Sequence, residues 1–180
     1  VQDSSSDNFS TAETEDNWVV EQSFFTTFHV ADPKWRRGRL NGEDVIQAKE
    51  GFAGYDAFLV SPDLLVGTDS DFTMNLEHAY KLVKAADPIF GTFKGLGSIQ
   101  YSVDGGVNWL DINELLPGKG FYTDTSDGYP GFISEDFNFG QQLAGQTVRI
   151  RFNADFAETF AEFYEDGWFI NRVSFSGITN

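Results

Sequence analysis

Trp35, Arg36, Arg37 and Arg39 place one indole and three guanidinium groups within five positions of an otherwise acidic chain. Lys and Arg total 12 against 28 Asp and Glu, a formal net charge of −16 with a pI near 4.2. In such a field a local basic and aromatic cluster attracts anionic groups, while the indole face suits stacking on a sugar ring. Tyr129, from the Gly-rich stretch 117–131, extends the set. The plainer reading is a strand-edge aromatic covered by arginine stems. Trp35, Arg36, Arg37, Arg39 and Tyr129 are the expected ligand contacts.

Carboxylates supply the second kind of chemistry. Calcium takes six to eight oxygens, mostly carboxylates and carbonyls gathered from loops and strand ends. Asp7, Glu43, Asp44, Asp56, Glu165 and Asp166 are the candidate donors, and a structural calcium ion is the expected cofactor. No EF-hand loop is present. Glycoside hydrolysis needs two carboxylates across a cleft, a relation that spacing in sequence does not establish.

Other chemistries lack their residues. There is no Cys, which removes disulfides, thiolate nucleophiles and Cys-based zinc sites. His29 and His78 are far apart and belong to no His-Glu-x-x-His motif. No Gly-x-Ser-x-Gly elbow occurs, and Gly95-Leu96-Gly97 precedes a strand pattern where a phosphate loop would need a helix. The acidic balance disfavours nucleic acid and anionic membrane surfaces. No apolar run approaches the ~20 residues of a spanning helix, and no signal peptide stands at the start. The chain reads as a soluble domain or mature fragment with no membrane insertion.

The elements that must position these residues are strands. FTMNLEHAYKLVK sets Phe72, Met74, Leu76, His78, Tyr80 and Leu82 on one face. QTVRIRFNAD alternates Val148, Ile150 and Phe152 with Arg149, Arg151 and Asn153. In GWFINRVSFSGI the alternation is less tidy. Asp-Gly and Pro-Gly turns separate the runs, and Val103 to Trp109 is the strongest hairpin signal. Trp109 and Trp168 read as core. AETFAEFYED is the one plausible helix, with a loop folded over the sheet as its alternative. Residues 1–17 carry five carboxylates and no basic residue, and read as an acidic linker or a lead-in to the first strand. Residues 18–180 form the domain. The fold expected is all-β, a two-sheet antiparallel sandwich with neighbouring terminal strands.

Four ordered motifs carry a family resemblance. YDAFLVSPDLLV (Tyr55 to Val66), SIQYSVDGGVNWLDI (Ser98 to Ile112), FNFGQQLAGQTVRIRFNAD (Phe137 to Asp155) and EDGWFINRVSF (Glu165 to Phe175) resemble bacterial jelly-roll domains of the meprin-type (MAM)-like group. That group includes accessory domains of immune inhibitor A-type metalloproteases and cleaved-adhesin modules of cysteine proteases. The resemblance implies a jelly roll with an accessory, often calcium-dependent role and no catalysis of its own. Two departures stand out: Asn171 and Arg172 replace two aspartates that follow the family's Gly-Trp segment, and 113–136 is long and Gly-rich, suited to an extended loop over one sheet. An amide can ligate calcium through its carbonyl, whereas Arg172 cannot.

The expected role is a non-catalytic accessory module of a larger secreted or surface bacterial protein, such as a protease. Its partner would be a protein, a polysaccharide or a neighbouring catalytic domain. A carbohydrate-binding module of a polysaccharide-degrading enzyme is the alternative, and an autonomous hydrolase the third reading.

Overall fold

The computed structural model describes residues 4–7, 18–24, 35–49, 55–82, 85–87, 91–93, 95–156 and 167–179. They form sixteen strands and a single 3-10 turn at Ile112–Glu114. The segment read as a helix, 157–166, and Phe9 lie outside the described residues. Every strand pairing among the described residues is antiparallel.

The first sheet has six strands. Its order is β13 (Ile133–Gly140), β7 (Phe72–Lys81), β15 (Gly167–Ser176), β4 (Glu43–Lys49) and β3 (Arg36–Leu40). β1 (Ser4–Asp7) pairs with the far end of β15, so the terminal strands are neighbours as expected. The second sheet has eight strands. Its order is β11 (Leu110–Asp111), β10 (Gly95–Ser102), β14 (Thr147–Phe156), β5 (Tyr55–Val60) and β2 (Val19–Phe24). β12 (Phe121–Tyr122) also pairs with β10, while β6 (Leu64–Val66) joins β14 to β16 (Ile178–Thr179). β8 (Ala85–Asp87) and β9 (Gly91–Phe93) form a separate hairpin. From β4 onward the chain repeatedly changes sheet. The result is the two-layer antiparallel sandwich of jelly-roll type.

Alternation decides which side of each strand is dry. Phe72, Met74, Leu76 and His78 of β7 are buried on one face, as are Val148, Ile150, Phe152, Ala154 and Phe156 of β14. In β15 the register slips between Ile170 and Arg172. That bulge inserts one extra residue, so Trp168 and Ile170 before it and Val173 and Phe175 after it all reach the core. It is the reason this strand's pattern looks irregular in sequence.

Trp168 is the aromatic centre of the core, with Trp35 at 5.6 Å, Phe152 at 5.7 Å and Tyr122 at 5.2 Å between ring centroids. Its Nε1–H donates to His78 Nδ1 at 3.0 Å, which assigns the ring proton of His78 to Nε2. His78 Nε2 is buried without a hydrogen-bond partner and lies 3.9 Å from Glu135 Oε2. Tyr122 Oη donates to the same oxygen at 2.7 Å. The long 113–136 segment thus reaches into the core through Tyr122. It also lies along the end of β7, where Ser126 N–H donates to Tyr80 O and Leu82 N–H to Asp124 O. Tyr129 reaches Phe169 on the outer side of the six-stranded sheet, 6.2 Å between centroids.

Burial pulls the pKa of His78 down from 6.5 to about 3. Folded His78 therefore stays neutral where the unfolded chain protonates it. The unfolded state binds the extra proton, so this residue makes stability fall as pH drops from 6.5 towards 3, with a slope approaching ~1.4 kcal/mol per unit. Denaturant titrations should show His78→Leu less stable than wild type at pH 8, with the gap narrowing on acidification. A gap independent of pH would contradict this assignment.

Candidate functional site

The basic and aromatic cluster is only partly a surface feature. Trp35 is 2% exposed, and its Nε1–H donates to Ala57 O across the sandwich at 3.0 Å. The indole face expected to stack on a sugar is therefore packed in the core. Trp35 directly precedes β3, and its ring lies between the layers against Trp168. Arg36, Arg37 and Arg39 are exposed. Arg39 is held within its own hairpin by Asp44 at 3.2 Å and by Gly42 O at 3.0 Å. Cationic side chains on an edge strand oppose strand addition, which accounts for the cluster without a ligand. A groove of about 440 Å³ beside it is floored by Trp18, Trp35, Ile46 and Leu59, all buried. Tyr129, on Phe169, lies on the opposite face of the six-stranded sheet from Trp35.

The proposed calcium donors are likewise divided. Glu43 and Asp44 open β4 in the six-stranded sheet, and Asp44 is occupied by Arg39. Asp56 lies in β5 of the other sheet. Asp7 pairs opposite Val173, and Glu165 and Asp166 lie outside the described residues. Among the described residues no three His, Asp or Glu side chains gather as a metal cluster. One ion drawing on both Asp56 and the Glu43–Asp44 pair does not fit a sandwich that puts them in different sheets. Of the two positions where the family carries aspartates, Arg172 pairs with Glu77 at 2.9 Å, and Asn171 Nδ2 donates to Asp44 O at 3.2 Å.

A different surface collects binding groups: the outer face of the eight-stranded sheet. Arg151 of β14 lies between two rings, its guanidinium carbon 4.2 Å from the Phe58 centroid and 4.3 Å from that of Trp109. Its Nε donates to Gln100 Oε1 at 2.7 Å, and Gln100 Nε2 donates to Asp111 Oδ1 at 3.2 Å. One step along, register aligns Phe121, Ser98, Asn153 and Phe58 across four strands. Phe121 is 57% exposed. The next step sets Asp155 directly opposite Asp56. Asn153 hydrogen-bonds Asp56 through its side chain, and its Oδ1 is buried without a partner. Burial raises the pKa of both aspartates, and the charge of Asp56 adds to the rise at Asp155.

Trp109 owes its place to the hairpin before it. Asp104 Oδ1 accepts the backbone N–H groups of Val107 at 3.0 Å and Asn108 at 2.9 Å, and Ser102 Oγ donates to it at 2.7 Å. These donors, the Asn108 N–H foremost, hold the Asp104 carboxyl at a pKa of about 2. Gly105 and Gly106 supply the positive φ angles, 74° and 92°, that the turn requires. Trp109 Nε1–H then donates to Gly106 O at 3.0 Å, and Arg149 Nη1 ties Gly105 O to β14 at 2.9 Å. The ring is half-buried and fixed at the rim of the face, a correction to its reading as core. Residue alternation in 147–155 already set Arg151, Asn153 and Asp155 on the polar side of a strand. That was the available signal for this face.

No family model matches the chain, and no curated protein matches it. Solved structures do. The K1 cleaved adhesin domain of Lys-gingipain from Porphyromonas gingivalis W83 aligns over 97% of this chain and 98% of its own, with a TM-score of 0.54 and 12% identity. The glycoside hydrolase domain structure of Endo-D from Streptococcus pneumoniae R6 aligns over 89% of this chain with a TM-score of 0.50 and 14% identity. This chain spans 22% of that one. At such identities the likeness is one of fold.

Two substitutions separate core from surface. Trp35→Ala should cost ~3–5 kcal/mol in chemical denaturation, as for other buried large-to-small changes. Trp109→Ala should cost less than ~1.5 kcal/mol, because it removes a half-exposed ring and one cation–π contact. Equal losses would contradict the placement of Trp109 at the surface.

Proposed function

We propose that this chain is a non-catalytic accessory module of a larger secreted or surface bacterial protein, and that it binds polysaccharide on the outer face of the eight-stranded sheet. The observation that carries this reading is the Arg151 guanidinium in contact with the rings of both Trp109 and Phe58, beside Asn153 with its unpaired carbonyl. A sugar ring offers a C–H face to aromatic rings and pairs of hydroxyls to planar amide, carboxylate and guanidinium groups. This face has both kinds of partner, on rigid strands. Sites of this sort are largely pre-formed, with a few polar groups fixing orientation. The fold it shares with an adhesin domain, and with part of a much longer glycoside hydrolase chain, suits a module that works beside other domains.

The meprin-type or immune inhibitor A-type affiliation belongs to the same proposal and rests on the four motifs. Calcium also remains part of it, as a structural ion at a site separate from the Asp56–Asp155 pair. Calcium should then raise the melting midpoint by mass action, and chelator should lower it. An unchanged midpoint, together with no metal by elemental analysis, would remove the ion from the account.

Affinity electrophoresis against a panel of soluble polysaccharides tests the binding face. Trp109→Ala and Asn153→Ala should each weaken retention by the bound polysaccharide tenfold or more while the fold is kept. Undiminished retention would place the site elsewhere. Release of reducing ends by the purified chain would refute the non-catalytic assignment.

A further inference from the structure

The proposed face is polar in an unbalanced way. Arg151 feels the charges of Glu21, Asp56 and Asp111 together, and Asp155 stands opposite Asp56. The other guanidinium nearby, that of Arg149, is taken by Asp63. Three carboxylates thus act on Arg151, and Asp155 adds a fourth acid to the face, within a chain of net charge −16. Like charges directly opposite on adjacent strands weaken a sheet. Here the pair sits beside aromatic rings and the unpaired Oδ1 of Asn153, a further acceptor.

We propose that the polysaccharide taken by this face carries free amino groups, as a 2-amino-2-deoxy sugar polymer does, with an ammonium seated against Asp56 and Asp155. The inference rests on the reading of this face as a glycan site and names its ligand class. An ammonium group relieves the repulsion between the two carboxylates and donates to acceptors that a neutral hydroxyl satisfies less strongly. The sugar ring meets Phe58, Phe121 or Trp109. A uronate or sulfated chain would bring its charge against the four acids and be repelled. A basic peptide shares the charge but not the stacking face or the paired hydroxyls, and the planar amides Gln100 and Asn153 favour the sugar.

The test is calorimetric titration near pH 6 at low salt. Its probes are short glucosamine oligomers, their N-acetylated counterparts, galacturonate oligomers and oligolysine of equal charge. The amino oligomer should bind at least tenfold more tightly than the acetylated one, and galacturonate not measurably. Asp56→Asn with Asp155→Asn should lose at least tenfold for the amino oligomer while acetylated binding stays within twofold. The charge-matched pair Glu43→Gln with Asp127→Asn, away from this face, should change the amino oligomer by less than twofold. Asp155→Asn alone serves the same comparison if the double variant melts early.

Equal binding of amino and acetylated oligomers would overturn the inference and leave the glycan reading standing. Equal weakening by the two double variants would reduce it to general acidity, and oligolysine binding as well as the sugar would replace it with a basic peptide. Failure of every oligosaccharide would count against the glycan reading itself.

Discussion

The indole of Trp168 is where the two sheets are locked together. It is fully buried, packs on rings from both layers, and gives its one polar hydrogen to His78. An indole N–H left without a partner there would cost about 1–3 kcal/mol, so the histidine must be present and neutral. The strand facing the ring must also be bare. A Cβ at Gly97 would lie 3.0 Å from two atoms of the Trp168 ring. These requirements fix how β10, β7 and β15 approach one another. They also draw Tyr122, and with it the 113–136 segment, into the interior.

Once the inner sides are committed to this packing, the outer sides are what remains for recognition. On the six-stranded sheet, part of that side is covered, since Phe169 is buried beneath Tyr129 and Lys49. On the eight-stranded sheet, half-buried polar and aromatic groups stand in aligned rows. The hairpin built on Asp104 adds an indole at the rim. Charge then separates ligands, because acids outnumber the guanidiniums here and Arg149 is already paired with Asp63.

Alternation along β7 and β14 made the sandwich legible, because a strand with one dry face writes its register into every second residue. The Asp-Gly hairpin was legible for the same local reason. The tertiary role of an aromatic was not. Trp35 sits among arginines and looked exposed, yet its ring turns inward onto Trp168 and donates to Ala57 O. Trp109 sits in a motif and looked buried, yet the Asp104 turn holds it at the rim. Sequence ranks both as large apolar residues, and only the direction of the strand separates them. The Asp56–Asp155 pair was invisible for a different reason: the partners are almost a hundred positions apart and meet only through register. The bulge at Asn171 likewise comes from pairing between strands and has no signature in composition.

The central claim is that recognition occurs on the outer side of the eight-stranded sheet. Amide chemical-shift mapping during titration with a glucosamine oligomer addresses it most directly. The account predicts the largest shifts at Phe58, Gln100, Trp109, Arg151, Asn153 and Asp155, with little change along β3 and β4. Shifts centred on Arg36, Arg37 and Arg39, with the outer face silent, would contradict it.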